Sequence, residues 1–167
     1  MPERILTNKE LEKIVDTSDE WIKSRTGIKE RRIAEPGKST SDLATIASRR
    51  ALEHAGIKPE ELDLIILTTC SKDMIIPAGA CLVQQELGAT KAGAFDLEAG
   101  CSGFVYGLSI ATQFIDTGAM KHVLVIRSDV LSKVVNWDDR ILVYLIGDGT
   151  AAVARLTGPL WRLSVSK

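Results

Sequence analysis

At 167 residues, 45% of them hydrophobic, the chain is long enough to bury a real core, and its formal net charge of −1 excludes a broad electrostatic pull toward nucleic acid or an anionic membrane. Three cysteines without regular spacing and two histidines outside any zinc-like cluster argue against a disulfide framework or a metal site, and point to a reducing cytoplasm. No apolar run is long enough to span a bilayer, and the first residues lack the charged-then-apolar pattern of a signal peptide.

Thr7 to Glu10 and Thr17 to Glu20 read as capping boxes. The first opens a short helix with Leu11, Ile14 and Val15 on one side, the second a helix carrying Trp21 and Ile22. Residues 24–37, with Arg25, Lys29, Arg31 and Arg32, read mainly as a solvated loop. An N-cap cluster at Ser39, Ser41 and Asp42 starts a helix with Leu43, Ile46, Ala47 and Ala51 that stops at Gly56. Residues 62–69 form a strand with little polar interruption, as in a parallel sheet. Pro77 suits the first turn of a helix that runs through Leu87 and is closed by Gly88; Cys81 inside it and Cys70 before it read as structural. Residues 93–97 are a buried strand, and Phe104, Val105, Leu108, Ala111 and Ile115 then recur at helical spacing up to a stop at Gly118. Residues 122–128 are a further parallel strand, 130–146 an excursion of mixed character, Gly147-Asp148-Gly149 a tight turn and 151–156 a last strand. Strands alternating with helices define an α/β layer with right-handed crossovers.

Cys101 falls where a strand hands over to the first turn of an apolar helix. Free N–H groups and the positive end of the helix dipole favour an anion there. Gly100, Ser102 and Gly103 leave room for a substrate to approach the sulfur. A thiolate so placed suits attack on a thioester; against this stands the reading of Cys101 as one more small core residue. Trp21 and Arg25, spaced i, i+4, share a helix face on which a planar ring and a phosphate would both find a partner.

Glu98-Ala99-Gly100-Cys101-Ser102-Gly103-Phe104 resembles the nucleophile motif of the β-ketoacyl-ACP synthase III family of thiolase-like condensing enzymes. The stretch LTNKELEKIVDTSDEWIKSRTGI at 6–28 looks like that family's N-terminal signature, and Ser128-Asp129-Val130, Asp139-Arg140 and Gly147-Asp148-Gly149 match further motifs. The resemblance implies an α/β fold, one of the two related halves of a thiolase-like subunit, with a mostly parallel sheet, helices on both faces and the Cys101 helix in a central layer. It implies Cys101 as the catalytic nucleophile, and Thr17, Trp21, Arg25 and Arg140 as coenzyme A contacts, with the adenine stacked on Trp21 and flanked by Arg140. It implies a 3-oxoacyl-ACP synthase III activity in fatty acid biosynthesis: an acyl-CoA starter of the acetyl type acylates the cysteine, and malonyl-ACP decarboxylates and takes the acyl group. Acyl-CoA and acyl carrier protein are then the partners, with no cofactor and no metal.

The chain also departs from that pattern. The family's second half supplies a His and an Asn to the reaction, and neither His54 nor His122 has that context. The expectation is a truncated N-terminal half over 1–167, acylated slowly at best and not competent for condensation alone, with 157–167 an atypical tail. The family's first strand, expected at the centre of the sheet, is also missing. Ile76 stands where the family commonly has an aromatic, and Ile141 and Leu142 are more apolar than usual, which leaves the acyl preference open. A helix without its second cover and a sheet without its central strand predict obligate association, with copies of itself or with a complementary second-half chain. Rival expectations are a non-catalytic half-fold interaction module and a related enzyme such as a hydroxymethylglutaryl-CoA synthase.

Overall fold

The computed structural model describes residues 2–140 and 142–156; the expectations for Ile141 and for the tail 157–167 lie outside the described residues. The contacts divide into two compact units, one from the residues up to Lys38 with Val130–Gly149, the other from Ser39–Asp129 with the strand from Thr150 onward.

In the first unit, β1 (Arg4–Thr7) and β2 (Glu30–Ile33) pair antiparallel, Arg4 opposite Ile33 and Thr7 opposite Glu30. Thr7 caps α1 (Asn8–Leu11) with the expected reciprocal box, its side chain accepting from the Glu10 N–H. The helix is a single turn, and Ile14 and Val15 follow it in turns rather than extending it. The second expected capping box is displaced by one residue: Ser18, not Thr17, caps α2 (Asp19–Thr26), accepting from the Trp21 N–H at 3.1 Å. Leu6, Leu11, Val15, Ile22, Ile33 and Val143 form this unit's core.

Two further expectations fail in this unit, for one reason: side chains find partners far away in sequence. Arg31 is no solvated charge but is buried in β2, with Nη1 and Nη2 each donating to Asn8 Oδ1 at 3.0 Å and Nη2 to the Tyr144 carbonyl at 2.8 Å. Gly147-Asp148-Gly149 is no tight turn but an extended entry into β6 (Gly149–Leu156). Asp148 is buried and accepts from the N–H groups of Ala34 at 2.7 Å and Ser132 at 2.9 Å, tying the excursion to the end of β2.

In the second unit a four-stranded sheet runs in the order β4-β3-β5-β6. β3 (Leu64–Thr68) pairs parallel with β4 (Gly93–Leu97) and with β5 (His122–Asp129), Ile66 lying between Phe95 and Val125. The expected opening for a missing central strand does not exist. β3 pairs with β5 along the whole of β3, from Leu64 opposite Val123 to Thr68 opposite Arg127, and the Asp63 N–H reaches the His122 carbonyl at 2.9 Å.

Alternation along each strand sends its side chains to opposite faces. Ile65, Leu67, Leu124 and Ile126, all fully buried, face α3 (Thr40–Ala55) and α4 (Gly79–Leu87). Leu64, Ile66, Val123 and Val125 face α5 (Gly103–Asp116). Ser39 caps α3 in a box with Asp42, and Gly56 and Gly88 close α3 and α4 as their positions predict. Pro77 sits before α4 rather than in its first turn. The cap of α4 is tertiary: the Asp96 carboxylate on β4 accepts the Gly79 N–H at 2.8 Å and the Ala80 N–H at 2.7 Å. α5 approaches the sheet closely at Gly107, where an added Cβ would lie 3.0 Å from both Thr68 Cγ2 and Val125 Cγ1.

Candidate active site

The carboxyl ends of β3, β4 and β5 converge on one set of loops, the usual place for ligands in a parallel α/β sheet. After β4 the chain turns at Gly100, whose φ of +55° is left-handed backbone that a side chain would strain. Gly100–Ser102 form a 3-10 turn, and α5 begins only at Gly103. Cys101 therefore sits one turn earlier than the periodicity suggests, still at the strand-to-helix handover, and its side chain is exposed. Gly103 is buried beneath it: a Cβ there would stand 3.3 Å from Thr68 Cβ. The close fit of Gly103 and Gly107 lets the helix seat on the sheet while Cys101 stays outside.

Behind the turn lies a buried carboxylate. Asp129, at the end of β5, accepts from Thr69 Oγ1 at 3.0 Å, the Cys70 N–H at 2.8 Å and Ser71 Oγ at 3.0 Å, and pairs with the Arg127 guanidinium. Across the loops Lys72 and Glu98 form an ion pair at 2.6 Å, and the hydrogen bond to Glu98 holds the Lys72 ammonium above its ordinary pKa.

The other candidate residues belong to the first unit. Trp21 on α2 has the Arg25 guanidinium 5.0 Å from its ring centroid and the Arg140 guanidinium at 5.6 Å, both in cation–π range. Tyr144 meets the same ring edge-on, with centroids 5.1 Å apart and planes at 81°. Asp16 lies 3.6 Å from Arg140, an exposed pair of little energetic weight. Thr17 stands just before the helix cap, and its buried Oγ1 has no hydrogen-bond partner among the described residues. Trp21, Arg25 and Arg140 are thus brought together, although only the first two are near in sequence.

Sequence reasoning missed the roles of Tyr144 and Arg127, placed Arg31 in a solvated loop, and met Asp129 only inside the 128–130 motif without a role. No spacing signals them, since each acts on a residue from another element. Among the described residues no group of three His, Cys, Asp or Glu is placed to hold a metal ion, and no helix is long and apolar enough to cross a membrane.

Residues 95–155 match the family model described as 3-Oxoacyl-[acyl-carrier-protein (ACP)] synthase III. The chain is 61% identical over 152 residues to a Beta-ketoacyl-[acyl-carrier-protein] synthase III of Caldanaerobacter subterraneus subsp. tengcongensis, a match covering 91% of this chain and 46% of that protein. The crystal structure of 3-oxoacyl-[acyl-carrier-protein] synthase III from Aquifex aeolicus VF5 superposes with a TM-score of 0.91 at 52% identity, covering 95% of this chain and 51% of that one. The priming β-ketosynthase of the R1128 polyketide biosynthetic pathway gives a TM-score of 0.92 at 42% identity, covering 95% and 48%. Sheet, helices and cysteine turn together define a thiolase-like α/β protein. Within that class the chain belongs to the β-ketoacyl-ACP synthase III family, and it spans about half the length of the relatives it matches.

Proposed function

We propose that the chain is the nucleophile-bearing half of a 3-oxoacyl-ACP synthase III, a cytoplasmic acyltransferase of fatty acid biosynthesis, over the whole span 1–167 with 157–167 as its atypical tail. The observation that carries this reading is the exposed Cys101 in a glycine-flanked strand-to-helix turn, within a chain 61% identical to a relative bearing that name. Cys101 attacks the thioester of an acetyl-type acyl-CoA. Trp21 supplies a stacking face for the adenine of coenzyme A, with Arg140 flanking it; Arg25 supplies charge for the phosphates, and Thr17 an unused hydroxyl. Malonyl-ACP is the second substrate, and neither step calls for a cofactor. By the family pattern, condensation also needs a His and an Asn from the remaining half. Val105 and Tyr106, 60% and 54% exposed on α5, support association with a complementary chain or with a second copy. The test is incubation with labelled acetyl-CoA followed by mass spectrometry. Label confined to Cys101 and abolished by Cys101→Ala is the expected result; label elsewhere, or label that survives the substitution, overturns the assignment.

A further inference from the structure

The Cys101 turn is held from behind by a residue that the reaction as described does not use. Arg127 lies on β5, on the face turned toward α5, with its side chain one-quarter exposed. One arm of its guanidinium pairs with the buried Asp129 carboxylate, which is itself fixed by Thr69, Cys70 and Ser71. The other arm, Nη1, donates to the Gly100 carbonyl at 3.4 Å, an oxygen that also accepts the Gly103 N–H. Gly100 is the residue whose left-handed backbone sets up the turn.

A peptide bond is planar and trans, so the Gly100 carbonyl and the Cys101 N–H point in opposite directions from one rigid plate. Fixing the oxygen fixes the direction of the N–H. That N–H opens the turn, where no carbonyl within the turn can accept it. We propose that Arg127 is a positioning residue for acyl transfer: braced on Asp129, it holds the Gly100 carbonyl and thereby aims the Cys101 N–H at the anionic oxygen formed on the attacked thioester. The inference rests on the reading of Cys101 as acyl acceptor. In that step the thiol has first given its proton to solvent. The sulfur then bonds to the thioester carbon, and the carbonyl π pair moves onto oxygen. As the tetrahedral centre collapses, the bond to the coenzyme A sulfur breaks, and coenzyme A leaves as a thiolate that takes a proton from water. An aimed donor stabilises the oxygen in the transition state more than in the ground state.

The discriminating experiment compares two reactions at Cys101 in the same chain. Acyl transfer from acetyl-CoA builds an oxyanion; alkylation by iodoacetamide displaces iodide at a methylene carbon and builds none. In Arg127→Gln, the limiting rate of acyl transfer is expected to fall about tenfold, with the half-saturating acetyl-CoA concentration and the alkylation rate within about twofold of the parent. An acyl-transfer rate within about twofold of the parent, or a parallel fall in both reactions, overturns the proposal. If Arg127→Gln does not fold, as judged by its thermal transition, Arg127→Lys is read by the same two rates, with a smaller selective loss expected. A parent chain that is alkylated at Cys101 but never acylated there refutes the acyl-acceptor reading instead, whatever Arg127 does.

Discussion

The two faces of the sheet share their central strands, β3 and β5, and end up in different states. On the face toward α3 and α4, strand residues and helix residues are buried together, with Ala44, Ala80 and Val83 closing on Ile65, Leu67 and Ile126. On the face toward α5, Leu64, Ile66, Val123 and Val125 of the central strands are equally buried, but Phe95 and Leu97 of β4 and Phe104, Leu108, Ile110 and Phe114 of the helix are only partly covered, and Val105 and Tyr106 are exposed. One helix layer has buried most of its apolar surface within the chain, with Ile46 of α3 left exposed; the other keeps more apolar surface and carries Cys101 at its mouth. The closed packing and the exposed cysteine therefore lie on opposite sides of one sheet.

Substitutions sharpen that contrast when taken from the largest effect to the smallest. Ile126→Ala removes a fully buried side chain from the closed face and should cost about 2–5 kcal/mol in denaturant unfolding. Gly107→Ala forces a methyl to 3.0 Å from two sheet side chains and should cost about 1–3 kcal/mol, because α5 must lift where it touches the sheet. Val105→Ser on the outward side of α5 should change the stability of the chain alone by less than about 0.5 kcal/mol while weakening association in light scattering. A large loss of intrinsic stability from Val105→Ser would break the comparison.

The smallest effect is one of pH, at the opposite end of the sheet. Partial burial of Asp63 would raise its carboxyl pKa, but the N–H groups of His122 and Lys121 that it accepts outweigh this and hold it below the ordinary value of 3.8. A depressed folded-state pKa means the contribution is present above the unfolded value and fades as pH falls through the folded one. Asp63→Asn should therefore flatten the acid limb of a stability-against-pH curve below about pH 4 and leave the neutral region less stable.

The strand at Gly93–Leu97, the helices closed at Gly56 and Gly88, the parallel pairing and the placing of Cys101 between strand and helix were all legible in the sequence, but the expected burial of Gly93–Leu97 was not borne out: it is an edge strand, exposed at Gly93 and only partly covered from Ala94 to Leu97. So was the Trp21 and Arg25 pair, because i, i+4 spacing is a local property of one helix. Family motifs supplied Arg140, which no local pattern ties to Trp21.

What could not be read locally shares a physical cause. Periodicity, capping and turn chemistry act over a few residues, so the chain alone determined which elements form, in what order, and where α3 and α4 close, while the starts of α2, α4 and α5 differ from the local reading. The burial of Arg31, the Asp96 cap on α4, the Asp148 link from the 130–149 excursion to the end of β2 and the Asp129–Arg127–Gly100 chain depend on polar groups meeting across elements. Only the tertiary structure decided those, because a buried polar group must find a partner in space, wherever the backbone happens to bring one.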